Sequence, residues 1–471
     1  MNHRLLIICL CGMLMLAGYS PGARALELEM GSVEVLDTFV TPAWTSVSFQ
    51  QAFDTVPHVY VLPTNEGGDP STLRIRNVTS TGFEVIATEP SANDGPHVAM
   101  NTAYLAIEPG VHTLPGGARI ISIERSTTTF ATRLIPPVSF DTVVFPIAFS
   151  GAPAVLGSIQ TVANESGTPP GTSSTPFLEV GIQNVTATSM QVTLERAEST
   201  AGSVTTPERI AILAIDNNTL ESFVDVNTNT IQLQGFTTPT NIQGWDNGCF
   251  TNSYPASFSS TPLAVASMNT RIGNNGGWIR RCSESSSSIG LTVDEDIDAD
   301  SERAHIGESA AVVAASTAFH ASINADLQIT KSMEVLSDPI NGINNPKAIP
   351  TSTVSYIIEV ENTGVLSTDD GTLIVLDEVP DTVSLCVSTD CLAGGPVLFD
   401  DTGSPIATGV SLGSVTYSND GGSNFTYPPN PDGDGYDSQV DAVRIAMNGA
   451  FAGIAGAGAP RFELRLAARV E

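Results

Sequence analysis

Apolar residues in this chain fall in short alternating runs. Val354, Tyr356, Ile358 and Val360 occupy every second position, the period-2 pattern of a strand with one face against a core. Similar runs, rich in Thr and Val and bounded by Gly, Pro and Ser turns, recur along the chain, and no segment sustains a helical period. The pattern predicts an all-β chain of tandem antiparallel sandwiches. The exception is the N-terminus, where Arg4, an apolar run from Leu5 to Ala17 and the small-x-small triplet Ala23, Arg24, Ala25 read as a secretory signal peptide over residues 1–25. The run is too short for a bilayer span, and no later stretch approaches the roughly 18 apolar residues a span requires. We therefore expect no integral membrane segment and a secreted protein, at the cell surface, outside the cell or in the periplasm.

The alternation is organised into repeats. Phe49, Phe53 and Pro57 are spaced by four, and the spacing returns at Phe145, Phe149, Pro153 and at Tyr254, Phe258, Pro262. NVTSTGFEV from Asn77 matches NVTATSMQV from Asn184, while the third copy keeps only the alternation Ile289, Leu291, Val293. Each copy closes on an apolar strand, through Leu105, Leu213 and Val313. Copies of about a hundred residues are whole domains, each large enough for its own core. The boundaries drawn from them are 26–127, 128–226 and 227–325, with a fourth domain over 326–471.

The string SVSFQQAFDTVPHVYVLPTNEGG, followed by LRIRNVTSTGFEV and YLA, resembles the H-type lectin domain, clearest in the first copy. That resemblance implies six-stranded antiparallel sandwiches, trimeric association and shallow sites between subunits for N-acetylgalactosamine-type sugars. It implies a carbohydrate site in the first copy, with Arg74 as hydroxyl donor and Tyr104 as stacking surface. The second copy has Gly181 at the position of Arg74, and Ile212 and Val312 replace Tyr104 in the other copies. The plainer alternative is a solvated strand arginine and a core tyrosine. His97 joins the candidate site because His305 repeats it eight residues before the closing-strand centre, although a turn role explains the repetition as well. Since the related lectins are trimers, three fused copies are expected to pack as an intrachain pseudo-trimer, with a homo-oligomer as the alternative.

From about Leu327 the pattern changes. The strand VSYIIEVENTG and the following LDEVP resemble an Ig-like repeat of unknown function common in bacterial surface proteins, which implies a spacer or scaffold. In this domain Asp432, Asp434 and Asp437 alternate around glycines, a disposition suited to calcium, the one cofactor expected, or to a plain acidic turn.

Charge and cysteines narrow the classes further. Removing residues 1–25 takes two of 19 basic residues and none of 50 acidic ones, leaving a net charge of −33. Such a surface repels phosphate backbones, which excludes nucleic acid and leaves glycans or cell-surface proteins as the expected partners. Four cysteines remain after the signal, Cys249, Cys282, Cys386 and Cys391. Of three possible pairings, the intradomain one, Cys249 with Cys282 and Cys386 with Cys391, is the natural reading in an oxidising compartment. A nucleophile elbow at Gly409 to Gly413 has no histidine after Ser411, as a hydrolase of that type requires. No metalloprotease or phosphate-loop string is present. The sequence is thus expected not to be an enzyme. It reads as an adhesion or matrix protein with lectin-like domains and a spacer, or as a purely structural surface-layer component.

Overall fold

The structure is a computed structural model that describes residues 14–16, 26–38, 43–90, 97–131, 139–165, 176–196, 202–274, 276–298, 301–389, 395–454 and 458–471. The chain is all-β. Its one described helical element is a single 3-10 turn at Trp245–Asn247, and no described helix is long and apolar enough to cross a membrane. It divides into two compact units, Leu26–Ser322 and Ile323–Glu471, the latter grouped with Met1–Ala25.

The larger unit holds three sandwiches of one design. One sheet of each has three strands: Thr45–Ser48, Gly82–Thr88 and Thr72–Thr79 in the first, with Phe250–Ser253, Ser288–Asp294 and Trp278–Glu284 in the third. In the second, Asp141–Val144, Ser189–Glu195 and Glu179–Gln183 are joined by Phe130–Ala131, which pairs in parallel. The repeated aromatic spacing has a backbone cause. The N–H groups of Phe49, Phe145 and Tyr254 donate to the turn carbonyls of Thr81, Thr188 and Ser287 at 3.0, 2.9 and 3.0 Å, so each ring enters its core at the same point. Asn77 and Asn184 sit at φ 50° and 52°, a left-handed conformation that asparagine tolerates better than most residues. That is why the NVT turn recurs.

The opposite sheet of each sandwich has four strands. In the second it runs Ala154–Ile159, Glu208–Ile215, Arg119–Thr127, Gly110–Thr113, which we call axial, closing, opening and exchange strands. In the third the same order is Leu263–Met268, Ala310–Ala315, Thr230–Thr237, Thr219–Val224. In the first it is His58–Val61, Met100–Ile107, Leu26–Val35, and then Phe319–Ile323 from the far end of the unit. After its closing strand, each copy sends the chain into the sheet of the next, and the third returns to the first. The sheets therefore cut across the boundaries drawn from the repeats. Residues 110–127 belong to the second sandwich, 219–224 to the third, and 319–323 to the first, because hydrogen-bonded pairing and not sequence proximity decides sheet membership. The three axial strands lie against one another.

The smaller unit is a two-sheet sandwich. One sheet is Leu14–Leu16, Ile374–Glu378, Ala442–Asn448 and Ser411–Ser418. The other is built on Leu327–Ser337, Thr353–Asn362 and Arg461–Val470, with Val383–Cys386, Tyr436–Asp437 and Val397–Asp400 around them. Val354, Tyr356, Ile358 and Val360 all face its core, as their alternation predicts. The described part of the expected signal peptide, Leu14–Leu16, pairs antiparallel with Val375 to Asp377; the remainder lies outside the described residues.

Candidate functional site

Of the positions that the lectin resemblance singles out, Arg74 lies at a contact between sandwiches and Tyr104 in the core of the first. Arg74 projects from the strand Thr72–Thr79 toward the second copy and is 5% exposed. Its Nη1 donates to Glu179 Oε1 at 2.9 Å and its Nη2 to Glu165 Oε1 at 2.8 Å, while Nε also bonds Glu165. The Phe177 ring lies 4.6 Å from its guanidinium carbon. Burial disfavours this cation, but the two carboxylates outweigh that and hold its pKa above the ordinary arginine value. Burial raises the Glu179 carboxyl, against the pull of Arg74. The guanidinium is thus committed to a neighbouring domain, and a hydroxyl ligand would have to displace a carboxylate to reach it.

Tyr104 is a core residue. Its ring packs with Phe49 and Phe83 at centroid distances of 6.3 and 5.3 Å, and its hydroxyl donates to Glu29 Oε1 at 2.6 Å. Gly31 lies opposite it across the ladder, and a Cβ there would come within 2.5 Å of the Tyr104 ring. The glycine opens the slot that draws the ring inward, so Tyr104 offers no stacking face to solvent. His97 is 2% exposed. A carbonyl can only accept, so Nδ1 donates to Val98 O at 2.9 Å, which leaves Nε2 to accept from the Ser71 hydroxyl at 2.9 Å. His305 repeats the Nδ1 bond, to Ile306 O at 2.7 Å. Burial lowers the His97 pKa, and both histidines lock turns.

The sequence reading missed the arginines that serve the other two contacts. Between the second and third copies, Arg271 pairs with Glu195. It passes Gly181, the residue at the position of Arg74, where a Cβ would lie 3.6 Å from Arg271 Cδ. Between the third and first, Arg280 is fully buried and pairs with Asp294 at 2.6 Å, while its other donors reach Thr64 O, Asp69 O and Glu66 O at 2.9, 2.9 and 3.1 Å. Arg303 joins Asp294 and Gly68 O, and Trp278 Nε1 donates to Ser71 O at 2.9 Å. Arg280 pairs with Thr292 as Arg74 pairs with Ile86, which makes it the third-copy counterpart of Arg74. The signal was hidden by the serine-rich turn after Cys282, which carries no NVT motif.

Side-chain amides complete the contacts nearer the axis. Gln160 exchanges two bonds with the Val59 backbone, at 2.9 and 2.7 Å, and Asn269, at the equivalent place after its axial strand, accepts from Val155 N at 3.0 Å. Where the copies meet, residues including Val61, Arg74, Ser158, Glu179, Ser267 and Trp278 line a partly open cavity of about 60 Å³. That is room for a few waters and far below the roughly 300–1,000 Å³ of ordinary ligand sites.

The acidic loop of the smaller unit is also internally bonded. Asp432 Oδ1 accepts from the amides of Asp434 and Tyr436 at 2.9 and 3.0 Å, and Oδ2 from Arg469 at 2.7 Å. These bonds, the backbone ones foremost, lower its pKa to about 2. Asp437 accepts from Tyr427 Oη and from the amides of Asn430 and Gln439. Among the described residues, no three His, Cys, Asp or Glu are grouped to hold a metal ion. The disulfide Cys249–Cys282 is present and lies over Gly290, where a Cβ would come 2.6 Å from Cys249 Sγ. Cys386 is disulfide-bonded; Cys391, its expected partner, lies outside the described residues.

Comparison of the chain with protein-family models, with curated proteins and with solved structures returns no match.

Proposed function

We propose that this chain is an exported, non-catalytic structural protein, a building unit of a surface layer or extracellular matrix. In this reading Arg74, where a lectin would hold sugar, fastens the first sandwich to the second. The observation that carries it is the commitment of Arg74 to Glu165 and Glu179 at 5% exposure, supported by the enclosure of Tyr104 and His97. The test is a glycan-array screen of the whole protein that includes N-acetylgalactosamine. Silence is expected, and saturable binding that free sugar competes away and that Arg74→Gln abolishes would overturn the reading.

A second reading, adhesion by protein contact, rests on a different feature. Ile340 and Ile343 are 79% and 80% exposed on a loop pinned by Asp338, which accepts from the amides of Ile340, Asn341 and Lys347. Held apolar side chains of this kind lose little entropy on docking. Replacing both with Ser should abolish attachment to cells or to a protein-coated surface without lowering the melting temperature, and unchanged attachment would remove this reading.

A further inference from the structure

The smaller unit contains a buried cation that differs in chemistry from the other buried basic side chains of the chain. Lys331, on Leu327–Ser337, reaches across the core to Asp377, on Ile374–Glu378 of the opposite sheet. Nζ stands 2.5 Å from Oδ1, and the two side chains are only 6% and 3% exposed. The Tyr356 ring lies 4.5 Å from Nζ. Elsewhere in the described interior, the buried pairs are built on arginine, at Arg74, Arg271, Arg280 and Arg303, or on histidine. Arginine stays protonated and makes a permanent cation. Lysine, desolvated, gives up its proton and becomes a nucleophile. The sequence has only two lysines, and one of them is placed here.

We propose that Lys331 and Asp377 condense to an intramolecular amide that ties the two sheets of the smaller unit covalently. The two groups are held together in the interior, and burial raises the Asp377 carboxyl against the influence of Lys331. Transfer of one proton from the ammonium to the carboxylate gives a neutral amine beside a neutral acid. Nζ then attacks Cγ. A second Nζ proton passes to the hydroxyl oxygen as its bond to Cγ breaks, and one water leaves. The ammonium loses two protons, the departing oxygen gains two, and the two charges cancel, so no oxidant or outside reagent enters. Confinement of the two groups replaces a bimolecular encounter with an intramolecular one. The bond closes a loop between positions 46 residues apart and pins the strand by which this unit follows the three-sandwich unit, a placement suited to a protein under tension.

The test is mass spectrometry of the whole protein, reduced and unfolded. The expected parent mass is lower than that of its sequence by one water, with the sequence mass restored in Lys331→Arg and in Asp377→Ala. Trypsin should leave the chain uncut after Lys331 and release one branched peptide containing both residues. A parent of full sequence mass, cut after Lys331 and with that amine open to acylation in denaturant, would overturn the proposal. The parent protein decides the matter even if a variant fails to fold.

Discussion

Arg74 and Arg76 are two residues apart on one strand, yet their surroundings assign them different weights. Arg74→Ala leaves Glu165 and Glu179 buried without their cation, and removing one partner of a buried pair costs about 3–5 kcal/mol. Arg76 pairs with Glu84 at 32% and 27% exposure, so Arg76→Ala should cost less than about 1 kcal/mol. Chemical denaturation of the two variants checks the contrast. A second residue-scale prediction concerns acid. Burial lowers the pKa of His58, His97 and His112, so the unfolded chain takes up their protons before the folded chain does. Stability from these groups is present at neutral pH and falls as pH drops below about 6.5, the unfolded histidine value. Buried Glu179 and Glu195, raised by burial, contribute with the opposite sign. His97→Gln should therefore flatten the fall in stability between about pH 7 and 5, measured by urea melts at each pH. At this scale the sequence disclosed that Arg74 was special but not why. Its partners, Glu165 and Glu179, lie 91 and 105 residues away and belong to no motif.

Strand existence was legible element by element, because alternation reports which face is buried. Strand ownership was not. The Phe and Pro frame marks each copy through local turn bonds, whereas the exchange strands are short, with Gly110–Thr113 and Thr219–Val224 reading as appendages of the preceding copy. Phe319–Ile323 carries a distinguishing polar contact, since His320 Nδ1 lies 2.9 Å from Glu29 Oε2 with both side chains buried. Positions equivalent to Glu29 in the other opening strands are Ile121 and Gln234, opposite Ala214 and Ala314 as Glu29 is opposite Ala106. His320→Ala should cost about 1–3 kcal/mol. Hydrogen exchange should show amides of Leu26–Val35 losing protection while those of Arg119–Thr127 keep theirs; uniform loss would contradict this assignment. In the acidic loop of the smaller unit, Arg469 occupies Asp432. Arg469→Ala should accordingly raise the heat of calcium binding over that of the parent, and equal heats in calorimetric titration would dismiss the loop as a cation site.

The whole chain carries 50 acidic against 19 basic residues, and Arg74, Arg271, Arg280 and Arg303 are taken up in contacts between sandwiches with acidic partners. The excess of acidic groups repels itself and opposes compaction. Raising sodium chloride from about 0.01 to 0.15 M, which shortens the screening length from about 30 to 8 Å, should raise the melting temperature. The buried pairs are shielded from salt and should not offset the gain. Length, the repeats and the change of character near Leu327 gave four domains, whereas the compact units are two, Leu26–Ser322 and Ile323–Glu471 with Met1–Ala25. The lectin resemblance implied an intrachain pseudo-trimer, but the strand exchange between the copies did not show in the sequence, because it depends on which edges meet in space.

That closure sets a clock on biosynthesis. Glu29 and His320 are 291 residues apart, and at about 5–20 residues per second the strand Leu26–Val35 waits roughly 15–60 s for its last neighbour. The other two opening strands find the corresponding exchange strand in an adjacent hairpin. The copy made first is thus finished last, and through that interval it exposes an unpaired strand edge, open to other nascent chains. Export, as proposed for this chain, would keep it unfolded and escorted through much of this time and shelter the edge until the whole sequence is present and the ring can close on itself.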